Sequence, residues 1–257
     1  MIEFHSVTRR YGDKVAVDAL NFTIAHGELF ALLGHNGAGK TTTVKMLVGL
    51  LRPERGAVRI AGYDVTASTR EASQLVGYVP DQPYLYDKLS GREFLQFVGE
   101  MHGLPPQEVV AAIQRESERF SLGPFLDDLT ESYSHGMKQR TVFASALIHQ
   151  PQVLVVDEPM VGLDPQNIHL VKDLLRAQAS AGVSVLMSTH SLDVAEKIAD
   201  RIGVMHRGRL IFLGTVTELR ELRGGNESLE DLFLSLTSEA NAQANRPARE
   251  PTRENGE

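Results

Sequence analysis

Apolar residues fall first into short runs, then into helical spacing, then into runs again. Ile2 to Val7, Val15 to Leu20 and Phe22 to Ala25 read as short strands joined by turns at Gly12-Asp13 and Gly27. Leu29 to Leu33 is an uninterrupted apolar run ending at glycine, the pattern of a buried strand. Thr42 to Val48 reads as a helix closed by Gly49, with Pro53 beyond it, and Val58 to Ile60 and Leu75 to Val79 as further strands. From Ser90 to about Gln150 the period becomes helical: Arg92 to Met101, Gln107 to Arg119, a break at Gly123-Pro124, and a helix to Ile148 with Ser134 as its cap. After Pro151 the strands return at Val153 to Val156, Val183 to Met187 and Ile202 to Met205. Asp164 as N-cap, Pro165 in the first turn and Gly182 near the end bound a helix between the first two, and a hairpin is expected at Arg207-Gly208.

Alternating strand and helix imply an α/β fold with a parallel sheet covered on both faces. The middle helical block then forms a subdomain, about residues 88–150, inserted into a sheet domain spanning 1–225. Residues 226–237 are expected to add a short C-terminal helix. Ser238 to Glu257 contains no Val, Ile, Leu, Met or aromatic residue, so residues 238–257 are expected to form a disordered tail.

Composition narrows the chemistry. A formal charge of -7 and the lack of a basic stripe argue against a nucleic-acid partner. The absence of cysteine excludes disulfides and thiolate metal sites. The N-terminus lacks a signal-peptide layout, and no apolar run approaches the ~18 residues that span a bilayer, so a soluble, cytoplasmic chain is expected.

The most informative stretch is Gly34-His35-Asn36-Gly37-Ala38-Gly39-Lys40-Thr41, a full match to G-x-x-x-x-G-K-[ST], followed by Thr42 in the next helix. Gly34, Gly37 and Gly39 let the backbone turn tightly and aim N–H groups at phosphate oxygens. Lys40 is then placed to reach the β- and γ-phosphates of ATP, and the Thr41 hydroxyl to ligate Mg²⁺, while the helix turns its positive end to the anion. The strand Val153 to Val156 runs into Asp157 and Glu158, which puts two carboxylates at the edge where open parallel sheets bind ligands. Asp157 suits a water-bridged Mg²⁺ contact and Glu158 the role of general base for an attacking water. His190 ends the strand beginning at Val183, which should set it beside Glu158 and in reach of the γ-phosphate. Tyr11, just before a turn, could stack on a nucleotide base.

Together these motifs resemble the ATP-binding cassette (ABC) ATPases over residues 2 to about 235. The discriminating piece is Tyr133-Ser134-His135-Gly136-Met137-Lys138-Gln139-Arg140, which is similar to the family signature LSGGQ followed by basic residues. The order of motifs is also the family's: Tyr11, phosphate loop, signature, acidic strand, Gly162-Leu163-Asp164 as the D-loop, and His190 as the switch. The resemblance implies a P-loop NTPase fold with a mostly parallel core, an N-terminal antiparallel β subdomain and an inserted helical subdomain. It implies two chains, copies or relatives, sandwiching ATP, so that Ser134 and the Gly136 backbone face the γ-phosphate of the other subunit. It further implies an integral-membrane permease partner and a position on the inner face of the cell membrane.

Some positions depart from the family. His135 stands for a signature glycine and Met137 for the glutamine. After Gly77-Tyr78-Val79-Pro80 the family has glutamine, whereas this chain has Asp81 and then Gln82. Either the loop shifts by one residue and Gln82 reaches nucleotide and metal, or Asp81 does that work. These departures, with Pro83-Tyr84-Leu85-Tyr86 and Ser228-Leu229-Glu230-Asp231-Leu232-Phe233, resemble the ATPases that pair with ABC-2-type permeases, mostly exporters. The alternative within the family is a soluble ATPase acting in macromolecular or iron–sulfur assembly.

Overall fold

The structure, a computed structural model, describes residues 1–163, 165–221 and 229–244. Its strands are β1 (Ile2–Tyr11), β2 (Lys14–Ile24), β3 (Leu29–Leu33), β4 (Arg55–Ile60), β5 (Tyr63–Asp64), β6 (Val76–Val79), β7 (Val153–Asp157), β8 (Ser184–Thr189), β9 (Arg201–His206) and β10 (Arg209–Gly214). Its helices are α1 (Lys40–Leu47), α2 (Thr69–Gln74), α3 (Gly91–Met101), α4 (Pro106–Phe120), α5 (His135–Leu147), α6 (Pro165–Ser180), α7 (Leu192–Ile198), α8 (Val216–Glu221) and α9 (Leu229–Ala244).

The strands make two sheets. One is antiparallel, in the order β2-β1-β4-β5; the other runs β10-β9-β3-β8-β7-β6 and is parallel except for the β9–β10 hairpin. That hairpin turns on Arg207 (φ 46°) and Gly208 (φ 84°), the two left-handed residues that a tight turn between twisted strands requires. β3 shows why its sequence is apolar throughout. Leu29, Ala31 and Leu33 face a core shared with α3, α4, α5 and α6, while Phe30 and Leu32 face a second core against α1 and the antiparallel sheet. A strand buried on both faces has no polar side to alternate with.

The inserted helices α3, α4 and α5 pack on one another and return to the sheet through α5 against β6. α3 starts with a capping box, in which the Ser90 hydroxyl accepts from the Glu93 N–H and the Glu93 carboxylate accepts from the Ser90 N–H. A second tie is a stacked pair of imidazoles. His102, at the end of α3, lies 3.6 Å centroid to centroid from His149, just after α5, and His149 Nε2 donates to the Val76 carbonyl of β6 at 3.1 Å.

Two expectations need correction. Val15 to Leu20 and Phe22 to Ala25 are not separate strands: β2 runs through both, its register shifting around the left-handed Ala19. The helix expected at 226–237 continues to Ala244, so 238–244 belong to α9 and not to a disordered tail. Leu232, Phe233 and Thr237 are buried and anchor the first turns, which meets the cost of nucleation, and Ala240, Ala242 and Ala244 extend the helix with high propensity. Asn241 adds a contact, its side chain lying 3.0 Å from His206 Nε2. Asp164, expected as an N-cap, Ser228 and residues 245–257 lie outside the described residues.

Candidate active site

Residues 34–39 leave the end of β3, and α1 begins at Lys40, so loop N–H groups and a helix N-terminus converge on one point. Gly39 has φ 113°, and a Cβ there would lie 2.5 Å from the Ala16 carbonyl and 2.8 Å from Met205 Cε. Only glycine lets the loop settle so closely on β2 and β9. The Gly208 N–H fixes the same stretch by donating to the Ala38 carbonyl at 2.8 Å. Lys40 is almost fully buried; its ammonium donates to the Gly34 carbonyl at 2.6 Å and pairs with Glu158 Oε1 at 3.2 Å.

The carboxylates stand at the end of β7. Register sets Asp157 opposite Ser188 of β8, and the Ser188 hydroxyl donates to Asp157 Oδ1. The same hydroxyl accepts from the Glu158 N–H at 3.2 Å. Glu158 has φ 48°, a conformation that costs energy for a side chain of its size and that clusters at functional sites. Its second oxygen, Oε2, lies 2.9 Å from His190 Nδ1, which is the protonated ring nitrogen because it faces a carboxylate. Lys40, Glu158 and His190, far apart in sequence, thus form one chain of contacts at the C-terminal edge of the parallel sheet.

Asp157 is completely buried and its Oδ2 has no hydrogen-bond partner. Burial pushes its pKa up, and the negative charges of Asp81 and Glu158 add to that, while the Ser188 and Thr41 hydroxyls act the other way. Thr41 comes close enough to lower the pKa without closing a bond of good geometry to Oδ2. Asp157 Oδ2, left open in this way beside Thr41, could hold a hard divalent cation, which would lower the same pKa. Among the described residues no group of three or more acidic, histidine or cysteine side chains could cage a metal by itself.

The remaining expected residues are spread around this centre. Asp81 and Gln82 are both exposed; the Asp81 charge reaches Asp157, and the Gln82 backbone N–H donates to Asp81 Oδ1 at 2.9 Å. Tyr11 closes β1, 48% exposed, with the Arg9 guanidinium 5.2 Å from its ring centroid. Ser134 caps α5 by accepting from the Met137 N–H at 3.3 Å. No hydrogen bond, ion pair or ring contact among the described residues joins Ser134, His135 or Gly136 to the phosphate loop of the same chain. The space a Gly136 Cβ would occupy is open.

Two residues were missed in the sequence. Ser188 organises both carboxylates, and its signal was a hydroxyl interrupting an apolar run, Val185-Leu186-Met187-Ser188. Phe233, 198 positions beyond His35 in the chain, packs edge-on against it with ring centroids 4.7 Å apart. No local pattern announces such a contact.

Comparison with known proteins agrees with this geometry. The ABC transporter family model matches residues 17–161. The linearmycin resistance ATP-binding protein LnrL of Bacillus subtilis is 35% identical over 240 residues, 93% of this chain and 77% of the relative. The Nod factor export ATP-binding protein I of Burkholderia lata is 40% identical over 229 residues, 89% of this chain and 75% of the relative. A solved ATP-binding subunit of an ABC transporter superposes with a TM-score of 0.86 at 32% identity, covering 92% of this chain and 99% of that one. With a cassette fold, and a phosphate loop and an acidic pair at strand ends of one parallel sheet, the chain belongs to the ABC transporter family as one of its ATP-binding, ATP-hydrolysing subunits.

Proposed function

We propose that this ATPase energises export through a separate integral-membrane permease, working on the inner face of the cell membrane as a dimer that sandwiches ATP. The observation that carries the catalytic part is the Lys40–Glu158–His190 chain of contacts beside the unpartnered Asp157 Oδ2. When ATP enters, its phosphates compete for the Lys40 ammonium, and Lys40 leaves Glu158 Oε1. Glu158 is then an unpaired base whose other oxygen is still oriented by His190. It takes a proton from water as the water oxygen bonds to the γ-phosphorus; the bridging P–O bond breaks and ADP leaves with the electron pair. His190, held on Glu158, contacts the γ-phosphate, and Tyr11 stacks on the base. Asp157 and Thr41 would hold Mg²⁺, which neutralises phosphate charge during the transfer. Asp81, in the field of Asp157, fits the role usually filled by the loop glutamine.

Support for the dimer is the open, outward position of Ser134 and Gly136, which suits a nucleotide bound to another subunit. Support for export comes from the names of the relatives in Bacillus subtilis and Burkholderia lata, both tied to resistance or export. Support for the permease is that no helix among the described residues is long and apolar enough to cross a membrane, while aromatic side chains are exposed beside the Asp81 loop. Tyr84 is 75% exposed, and Tyr86 meets both Tyr84 and Phe97 at ring-centroid distances of 6.0 and 5.7 Å. Aromatic groups presented this way anchor interfaces.

The deciding experiment is Glu158→Gln, which keeps the shape and removes the base. Turnover should fall by roughly 10²-fold or more. ATP binding should survive, and an ATP-held dimer should accumulate on size-exclusion chromatography. Hydrolysis at the parent rate would refute the assignment of the base, and a strictly monomeric variant in saturating ATP would refute the sandwich.

A further inference from the structure

The C-terminal helix α9 reaches the phosphate loop. Phe233 is 6% exposed, seated with Leu232 in the main core, and its ring meets His35 at an interplanar angle of 75°. Further along, α9 is fastened to the end of β9 by the His206–Asn241 contact. The ring of Phe233 therefore stands on an element held from both sides.

The two halves of the loop are held differently. Its rear half is fixed by the sheet domain, through the Gly208–Ala38 hydrogen bond and the packing of Gly39 on Ala16 and Met205. Its front half is held by Lys40, whose ammonium reaches the carbonyls of Gly34 at 2.6 Å and His35 at 3.5 Å. Lys40 is also the group that must turn to the triphosphate. With only three N–H donors, it must then share them between phosphate and the two carbonyls. Among the hydrogen bonds, ion pairs and ring contacts of the described residues, the His35–Phe233 pair is the tie, apart from Lys40, between residues 35–37 and another element.

We propose that Phe233 is a positioning residue of the nucleotide site: it holds His35, and with it the front of the phosphate loop, while Lys40 is engaged by phosphate. This rests on reading residues 34–41 as the ATP loop. The N–H groups of a loop held in this way need no ordering when the phosphates arrive, so the contact is expressed in ATP affinity. Glu158, His190 and Ser188 stand on β7, β8 and the residues that follow them, so turnover at saturation is left largely unchanged.

The test is a double-mutant cycle in the full chain with His35→Ala, Phe233→Ala and both together, reading ATP KM, kcat and Tm. Phe233→Ala should raise the KM for ATP by about 3- to 10-fold, the range of an aromatic pair. Its kcat should change by less than about 2-fold, the signature of a binding contact. Phe233→Tyr should restore the parent KM, and Phe233→Ala should add little once His35 is alanine. If Phe233→Ala fails to fold, Phe233→Leu decides, since it keeps the core filled and removes the ring: a raised KM at near-parent Tm supports the proposal. Parent KM in a well-folded Phe233→Leu, or an equal Phe233→Ala effect with and without His35, would overturn it. A parent chain that does not bind ATP would overturn the loop reading itself.

Discussion

The stacked imidazoles of His102 and His149 make a specific demand on pH. His149 is shielded from water, and burial together with the neighbouring His102 lowers its pKa from 6.5 to about 4. Burial lowers His102 as well. In the unfolded chain each imidazole titrates normally. As pH falls through 6.5, the unfolded state takes up a proton that the folded state refuses, so stability is present above the unfolded value and is lost progressively down to about pH 4. For His149 alone the loss between about pH 7.5 and about pH 5 is about 2 kcal/mol, a large share of a typical domain's stability.

The perturbation that isolates this effect is His149→Phe. The ring stack on His102 survives and the titration is removed. The variant gives up the bond to the Val76 carbonyl, which costs about 1 kcal/mol. That cost is reduced because His149 Nδ1, buried without a partner, disappears too. Buried Asp157 and Glu116, whose pKa values are raised by burial, titrate in both proteins and cancel in the difference. Thermal unfolding of parent and variant at the two pH values should show the variant less stable near neutrality and more stable in acid. The relative Tm should swing by about 4 to 8 °C. A swing below about 2 °C would refute the claim that this pair carries the acid sensitivity.

Two further outcomes test the site and its surroundings. Lys40→Ala removes a charge-assisted contact to phosphate and should weaken ATP binding by about 10- to 100-fold while leaving adenosine nearly unaffected, as calorimetry with both ligands would read; equal losses would mean that Lys40 acts through folding. Tyr84→Ala with Tyr86→Ala should leave Tm and ATP affinity near the parent's and reduce co-purification with the proposed permease; undiminished recruitment would refute the docking face, and a loss of Tm in step with recruitment would assign the tyrosines to the subdomain's own packing.

Much of the fold could be read in the sequence where one physical cause acted alone. β3, β7 and β8 are buried on both faces, so their apolar runs stand out. α3 and α4 are long enough to show their period and carry clear ends. α2, α7 and α8 went unread because six or seven residues span barely two turns, too few for a period. β1 and β2 were read as shorter pieces because left-handed residues at Ser6 and Ala19 shift the pairing and break the alternation. The site divides in the same way. The phosphate loop and Asp157-Glu158 are local, and their spacing carries the chemistry. Ser188 interrupts an apolar run, but its partners depend on cross-strand register; Phe233 depends on the packing of a distant helix, which leaves no mark at short range.

The turn at Gly208 has a mechanical consequence. Its N–H donates to the Ala38 carbonyl, and its carbonyl accepts from the Asp18 N–H, both at 2.8 Å. One residue thus rivets the β1–β2 pair, with Tyr11 at its tip, to the phosphate loop. The part proposed to stack on an adenine and the part proposed to hold its triphosphate are tied together, and would work as a gauge for the length of the ligand. A gauge cannot also be the hinge. On that reading, motion that follows the loss of a γ-phosphate would pass elsewhere, through the connection from Val79 at the end of β6 to Gly91 at the start of α3, where Asp81 and the exposed tyrosines lie.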